Sequence, residues 1–208
     1  MSHSQNNEEE IIINYFNKNH GSDFKGTLID FGANDGKTLS NSYQLIQNGW
    51  SASLIEASKE VAKRCEKEHK GNDKVQVINI GVAENNGTLT FHESGTHLGG
   101  DDRSLVSTFD ARELPRWEKN TEFTKHQIEV VDIPTLMDMS KLKTFDFITM
   151  DIEGMESVVL PQMDLSEVKC LCIEYNLNYE LARFYTSIVN KFGLTEIHRN
   201  NENVIFGR

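Results

Sequence analysis

Short apolar runs alternate with amphipathic segments along most of the chain, and this alternation predicts strands separated by helices. Strand-like runs are followed by helix-like segments with apolar residues three and four positions apart. The predicted strands cover residues 26–31, 51–57, 75–83, 144–152 and 168–176. The predicted helices cover residues 38–48, 58–70, 134–140, 155–162 and 179–192. Strands that alternate with helices indicate a mostly parallel sheet covered on both faces, in an α/β fold.

The two ends and the middle of the chain depart from this pattern. Residues 8–19 predict a helix, and residues 1–24 are interpreted as a helical lead-in before a single domain over 25–208. Residues 194–207 predict a terminal antiparallel hairpin that turns at the sequence NNEN. Shorter strands are expected at 87–93 and 126–133. The polar stretch of about 94–124, with one helix near 110–120, is a long insert of the kind that often serves function.

Glycine and serine residues set the predicted helix bounds. Gly21, Gly49 and Gly71 follow helix-like segments and are expected to end them, and Ser58 is expected to cap the helix that it precedes.

Composition and charge narrow the class of protein. The chain has 208 residues, of which 38% are hydrophobic and 25% are charged, and this is typical of a folded globular protein. A formal net charge of −11 repels polyanions, so a general nucleic-acid binder is not expected. No apolar run reaches the roughly 18 residues of a membrane helix. The first ten residues lack the order of a signal peptide, so a cytoplasmic protein without a membrane partner is expected.

The three cysteines form no pair with the spacing of a metal site. Cys170 and Cys172 lie two apart in an apolar run, so they are expected to share one face of a buried strand.

The sequence IDFGANDGKT at 29–38 predicts a ligand platform at the end of the first strand. Gly32 and Gly36 leave room for close approach to the backbone, and Asn34 tolerates a positive φ. The pattern is not the G-x-G-x-x-G of dinucleotide-binding proteins. A small molecule with polar groups is therefore expected beyond Asp30.

Two further carboxylates follow predicted strands. Glu56 ends the second strand, where a carboxylate can accept both hydrogen bonds of a ribose diol; an exposed acid near a helix N-terminus is the alternative. Asp151 ends the apolar run at 144–152, where a buried carboxylate needs a partner. That partner could be a ligand, a metal ion or backbone donors.

Several motifs together resemble the FkbM-type methyltransferases over roughly residues 26–208. They are LIDFGANDGKT, LIEAS, VINIGVAENNGTLTF, DRSLVS, IPTLMDM, FDFITMDIEGMESVVL and the terminal NENVIFGR. The resemblance implies a Rossmann-like class I fold with a seven-stranded sheet in the order 3-2-1-4-5-7-6. It also implies S-adenosylmethionine as cofactor and methyl transfer to a hydroxyl oxygen, often of a sugar.

The resemblance also implies roles for particular residues. Asp30, Gly32, Ala33, Asn34 and Gly36 would line the amino-acid end of the cofactor, and Glu56 with Ala57 would hold the ribose. Asn79 and Gly81 would lie near the adenine, and Asp151 at the edge of the transfer site. Many relatives carry a basic residue where this chain has Thr149 and Met150, which puts the catalytic roles in doubt more than the cofactor site.

Methyl transfer to oxygen needs a group that removes a proton. The candidates are Asp151, Glu174 at the end of the fifth strand, and the histidines His97 and His126. Asp151 and Glu174 could instead hold a divalent cation. The insert at 94–124 would form a lid, in which Arg103, Ser104, Ser107 and Trp117 could contact the acceptor or simply form a surface loop. The expected acceptor is a small hydroxyl compound such as a saccharide or nucleotide sugar.

Two other functions stay open at this point. One is a nicotinamide-dinucleotide oxidoreductase, which shares the strand–turn–acid arrangement. The other is a binding module for S-adenosylmethionine that has lost its catalytic activity.

Overall fold

The computed structural model describes residues 3–96, 98 and 103–208. Its ten strands are β1 Thr27–Phe31, β2 Ser51–Glu56, β3 Val75–Asn79, β4 Gly81–Val82, β5 Gly87–Ser94, β6 Phe123–Val131, β7 Phe147–Met150, β8 Cys170–Glu174, β9 Thr195–Arg199 and β10 Asn203–Gly207. Its seven α-helices are α1 Glu8–His20, α2 Tyr43–Gln47, α3 Lys59–Glu68, α4 Leu114–Trp117, α5 Ile133–Met139, α6 Glu156–Val159 and α7 Tyr179–Val189. Strands and helices thus alternate as the sequence predicts.

Seven strands form the central sheet in the order β3-β2-β1-β7-β8-β10-β9. The first five are parallel, and β10 pairs antiparallel with both β8 and β9. Counted within this sheet alone, the order is 3-2-1-4-5-7-6, so the expected fold class is confirmed. The carboxyl ends of the parallel strands meet at one edge, where ligands bind in sheets of this kind.

A second sheet was not expected from the sequence. It has the order β4-β6-β5, with β5 and β6 antiparallel from Gly87↔Val130 to Ser94↔Phe123. The single predicted strand at 75–83 is therefore divided: β3 pairs with β2, whereas Gly81 and Val82 pair with β6. The predicted insert connects the carboxyl end of β5 to the amino end of β6, and these two ends are paired in the second sheet.

The N-terminal helix packs on the central sheet. Ile12 and Phe16 of α1 are 0% and 3% exposed, and they belong to a buried cluster that includes Trp50 and Phe147. Cys170 and Cys172 of β8 lie in the same cluster, which confirms the prediction that they share a buried face.

Three helix predictions need correction. The helix predicted at 38–48 covers only Tyr43–Gln47, because residues before it form turns that reach into the candidate site. The helix near 110–120 is a single turn, Leu114–Trp117. Ser58 precedes α3 but does not cap it with its side chain; the hydroxyl instead donates to Glu93 Oε1.

Among the described residues, every helix is too short or too polar to cross a lipid bilayer.

Candidate active site

One cavity of about 330 Å³ opens along the carboxyl edge of the central sheet. This volume is within the range of about 300–1,000 Å³ that is usual for small-molecule sites. Residues at the carboxyl ends of β1, β2, β7 and β8 line it, together with residues of the insert. The sequence-predicted residues that line it are Asp30, Gly32, Ala33, Asn34, Glu56, Ala57, Gly81, Asp151 and Glu174.

The turn after β1 places backbone at the cavity wall. Gly32 has φ +82°, and a Cβ there would lie 1.9 Å from the carbonyl oxygen of Asp151. A glycine is therefore required here because two strand ends approach each other closely. The sequence predicted only the second reason, access for a ligand. Asn34 has φ 48°, as predicted, and its Nδ2 donates to Arg103 O at 3.3 Å.

Glu56 joins two loops of the site. Its Oε2 accepts from Asn34 N at 3.0 Å, and its Oε1 accepts from Ser58 N at 2.7 Å. Burial, with smaller contributions from Asp30 and Glu93, raises the pKa of Glu56 to about 7. A carboxylate has about four lone-pair sites, so two remain that could accept from a ligand diol.

Asp30 lies beside Glu56 in the next strand. It is 5% exposed, and Ser42 Oγ donates to its Oδ2 at 2.6 Å. Burial, with a contribution from Asp151, raises its pKa to about 7. A carboxylate with few neutralising partners is suited to a cationic ligand group.

Two predicted cofactor residues lie outside the cavity lining. A Cβ on Gly36 would lie 2.7 Å from His69 Nε2 and 2.8 Å from Cys65 Sγ, so this glycine allows the turn to pack on α3. Asn79 Nδ2 donates to the carbonyls of Glu56 at 2.8 Å and Ala57 at 3.1 Å, so its side chain braces the end of β2. Their roles in holding the cofactor stay predictions.

Asp151, which follows β7, and Glu174, which ends β8, form a carboxyl pair. Burial, then repulsion from Glu202, raises the pKa of Asp151 to about 6, and a hydrogen bond with Glu174 opposes this. Burial, then repulsion from Asp151, raises the pKa of Glu174 well above its usual value. Such a pair can hold one proton between two acids and can accept another when ionised.

Two more glutamates adjoin this pair, and the structure separates their roles. Glu156 Oε1 accepts from Ile152 N at 2.7 Å and its Oε2 from Gly154 N at 3.0 Å, so it shapes the turn after β7. Glu153 lines the cavity, is 6% exposed, and its Oε2 has no hydrogen-bond partner. The oxygens of Asp151, Glu156 and Glu174 lie within 4.8 Å of one another, a spacing that a cation could bridge.

The histidine candidates are not brought to this pair by the described structure. His126 lies on β6, outside the cavity lining, and its Nε2 is 3.1 Å from Glu93 Oε2. It was a candidate base because it lies near the insert in the sequence, but in the structure it belongs to the second sheet. His97 lies outside the described residues.

Part of the insert lines the cavity, and its role as a lid stays a prediction. Ser104, Ser107 and Trp117 are among the lining residues. Arg103 is not; its Nη1 pairs with Glu60 Oε2 at 2.9 Å. Thr149, in the segment where many relatives carry a base, lines the cavity, whereas Met150 is fully buried in the core.

Sequence reasoning did not assign several lining residues that have polar side chains, among them Gln5, Asn41, Arg116 and Glu202. Asn41 donates from Nδ2 to Thr149 Oγ1 at 3.3 Å, and its buried Oδ1 has no hydrogen-bond partner. Gln5 Nε2 donates to Glu202 Oε1 at 2.9 Å. No motif marks Glu202 in the sequence, and the pairing of β10 with β8 is what places it at this edge.

The lining fits S-adenosylmethionine, the cofactor that the resemblance implies. Apolar side chains for a flat base come from Ile80, Phe91 and Phe109, near Glu56 for the ribose. Asp30 and Asp151 offer negative charge toward an ammonium and a sulfonium. The orphaned Oδ1 of Asn41 leaves one acceptor for a ligand donor.

Comparison with known proteins identifies the family. The family model described as the methyltransferase FkbM domain matches residues 30–194, which is most of the chain. No curated protein matches the chain.

Solved structures of class I methyltransferases share the fold. A Pyrococcus horikoshii protein assigned as an RNA methyltransferase is 12% identical, with a TM-score of 0.50, over 98% of this chain and 84% of its own. The ribosomal protein L11 methylase of Lactobacillus delbrueckii subsp. bulgaricus is 9% identical, with a TM-score of 0.50, over 97% of this chain and 78% of its own. At such identities the likeness shows the fold alone.

Proposed function

Because the chain belongs to the FkbM methyltransferase family, we propose that it transfers a methyl group from S-adenosylmethionine to a hydroxyl oxygen of a small acceptor, such as a sugar or related metabolite. The observation that carries this proposal is the single cavity that extends from Glu56 to the Asp151–Glu174 pair. One end suits an adenosyl group and the other suits proton transfer.

The cofactor half of the cavity lies over β1 and β2. Asp30, Gly32, Ala33 and Asn34 would hold the amino-acid end of the cofactor, and Glu56 with Ala57 would hold the ribose. When bound, S-adenosylmethionine supplies a methyl group that is already activated on a sulfonium. The protein therefore needs only to position an oxygen roughly 3 Å from that carbon and to accept a proton.

The Asp151–Glu174 pair would accept that proton. Asp151 is the proposed base, because it follows β7 beside both the glycine turn and Glu174 and its pKa of about 6 favours the ionised form at neutral pH. Its hydrogen bond with Glu174 would fix its orientation. His126 has no part in this proposal.

We propose proton transfer without a divalent cation. Both oxygens of Glu156, the third member of the acidic cluster, already accept backbone N–H groups. Removal of metal by a chelator should therefore leave activity unchanged, and loss of activity that Mg²⁺ or Mn²⁺ restores would show that the cluster binds a cation.

A small acceptor is favoured over nucleic acid by charge. Six carboxylates and one guanidinium line the described part of the cavity, and the whole chain has a formal net charge of −11. A phosphate backbone would be repelled at this edge. The same charge makes a nucleotide sugar a poorer acceptor than an uncharged sugar. We also propose that the protein acts in the cytoplasm.

Cofactor titration followed by a transfer screen tests this function. S-Adenosylmethionine should bind more tightly than NADH, and label from its methyl group should appear in a hydroxyl compound. Tighter binding of NADH would support the oxidoreductase alternative and contradict the proposal. Cofactor binding without transfer to any sugar, cyclitol or small alcohol would instead favour an inactive binding module.

A further inference from the structure

Carboxylates follow the strand order along the cavity floor. Glu56 ends β2, Asp30 lies in β1, Asp151 follows β7, Glu174 ends β8 and Glu202 precedes β10. With strands about 4.8 Å apart, the β2 and β8 ends are about 14 Å from each other. The cofactor would occupy the β2–β1 half, so a second group of acids remains for the acceptor half.

These acceptor-side carboxylates are Glu153, Glu174 and Glu202. One cation, Arg116, lines the described part of the cavity. Its Nη1 is 3.8 Å from Glu153 Oε2 and 3.7 Å from Glu113 Oε2, so its charge is shared with an acid outside the lining. The acceptor half therefore has a deficit of positive charge.

The other contacts of these acids supply no further positive charge. Glu202 accepts from Gln5 Nε2 at 2.9 Å and from Asn6 Nδ2 at 2.8 Å, and both donors are neutral amides. Glu153 Oε2 is buried without a hydrogen-bond partner. The cation paired with Glu153 Oε2 is the shared Arg116 guanidinium, at 3.8 Å. A buried carboxylate so weakly compensated is costly, and a protein relieves the cost by binding protons or a positively charged group.

Burial opposes ionisation of these acids. Burial, and then repulsion from Asp151, raises the pKa values of Glu153 and Glu174 well above their usual range. An ammonium group entering this half would favour their ionised forms, whereas a phosphate would add to the repulsion.

We propose that the acceptor carries a protonated amine beside its reacting hydroxyl, as in an amino sugar or a small amino alcohol, and that Glu153, Glu174 and Glu202 form the site for the amine. This inference rests on the proposed methyl-transfer function. Glu153 Oε2 carries this inference, because it is buried in the cavity wall, accepts no hydrogen bond and has only the shared Arg116 guanidinium, 3.8 Å away, as a cationic neighbour.

The same charge would select oxygen as the methylated atom. A protonated amine has no lone pair, so it cannot attack the methyl carbon while it is held by carboxylates. The new C–O bond forms as the C–S bond breaks and its electron pair stays on sulfur, and the hydroxyl proton passes to Asp151. The products are a methyl ether and a neutral thioether.

Matched ligands test the amine site on protein saturated with S-adenosylhomocysteine. The probes are glucose, its 2-, 3- and 6-amino-deoxy derivatives, and glucose 6-phosphate, titrated by calorimetry at pH 7.5. At least one amino derivative should bind ten-fold or more tightly than glucose, with proton release seen on comparing two buffers of different ionisation enthalpy. Equal binding of glucose, best binding of the phosphate, or no binding of any amino derivative would overturn the inference.

Two variants locate the effect. Glu153→Gln should reduce the preference for the amine at least ten-fold, and Glu84→Gln, at an exposed turn residue, should retain it. If Glu153→Gln does not fold by circular dichroism, Glu202→Gln replaces it with the same expectation. An unchanged preference in the folded variant would contradict the assignment.

The first titration separates the two hypotheses. Failure of S-adenosylhomocysteine to bind would contradict the proposed function itself. Its binding without any preference among the sugars would contradict only the amine site.

Discussion

Asp151 occupies the junction between the two halves of the cavity. It follows β7, which pairs with β1 on one side and β8 on the other, so it adjoins both the glycine turn and Glu174. Its pKa of about 6 makes it a base that is ionised at neutral pH and protonated in mild acid. This position is the reason for assigning the proton transfer to it.

Asp151→Asn should lower kcat by about 10²–10⁴-fold, because an amide cannot accept the hydroxyl proton. The affinity for S-adenosylhomocysteine should change much less. Wild-type kcat/KM should rise as pH increases through about 6, as Asp151 loses its proton. Asp138→Asn, at an exposed residue of α5, is the matched control. A kcat within two-fold of wild type would exclude Asp151 as the base.

Individual residues show which site predictions a sequence supports. Glu56 and Asp151 could be predicted because an acid at the end of an apolar run has a cost that demands a partner. Gly36 could not be distinguished from Gly32, since both have positive φ and only their neighbours in space differ. His126 was predicted as a candidate base, but it lies on β6 of the second sheet, which the sequence pattern did not reveal.

The N-terminal strap, residues 3–7, is the element that links the two sides of the site. Ser4 bridges to Leu39 after the glycine turn, and Gln5 and Asn6 donate to Glu202 in the β9–β10 turn. Glu8 then accepts from Asn200 at 2.6 Å and Asn203 at 3.0 Å. The strap thereby holds the acceptor side of the cavity to the terminal hairpin.

Replacing both Gln5 and Asn6 by Ala should loosen that hairpin turn. Glu202 would lose both side-chain donors, and its carbonyl accepts from Tyr175 at 2.7 Å and Asn176 at 3.1 Å. Amide hydrogen exchange at these two residues should become faster, while strands β1 and β2 keep their protection.

Asn85→Ala, in an exposed turn far along the chain from the strap, is the control. Unchanged exchange at Tyr175 and Asn176 in the double variant would show that the strap does not order the site.

At the level of elements, the central sheet could be predicted and the second sheet could not. Residues 75–83 form one mostly apolar run, which predicts a single strand and does not reveal the transfer from β3 to β4 at Ile80. The transfer is visible only in the structure, where a Cβ on Gly81 would lie 2.5 Å from the ring of Phe109. The role of the insert as a lid stays a prediction.

For the whole molecule, buried carboxyls dominate the response to pH. Burial is the largest cause of a raised pKa in Asp30, Glu56, Asp151, Glu153, Glu156 and Glu174. A pKa that is higher in the folded than in the unfolded chain means that the folded chain binds more protons. Stability then falls as pH rises from the unfolded values near 4 to the folded values near 6 and 7.

The free protein should therefore have a higher melting temperature at pH 5.5 than at pH 7.5. His92, whose pKa is lowered by burial, opposes this trend, but it is one group against six carboxyls. Carboxyls with lowered pKa values, such as Asp110, titrate below this window and do not oppose it. Differential scanning calorimetry at the two pH values checks the sign. A higher melting temperature at pH 7.5 would contradict the picture of uncompensated buried acids.

Calorimetric titration with S-adenosylhomocysteine tests the central claim, that Glu56 holds the ribose of an adenosyl cofactor over β1 and β2. Wild-type protein and Glu66→Ala, an exposed change on α3, should bind alike. Glu56→Ala should bind at least ten-fold more weakly, a loss of about 1.4 kcal/mol or more, because two ligand hydroxyls lose their acceptor. Equal affinity of Glu56→Ala and wild type would contradict the account.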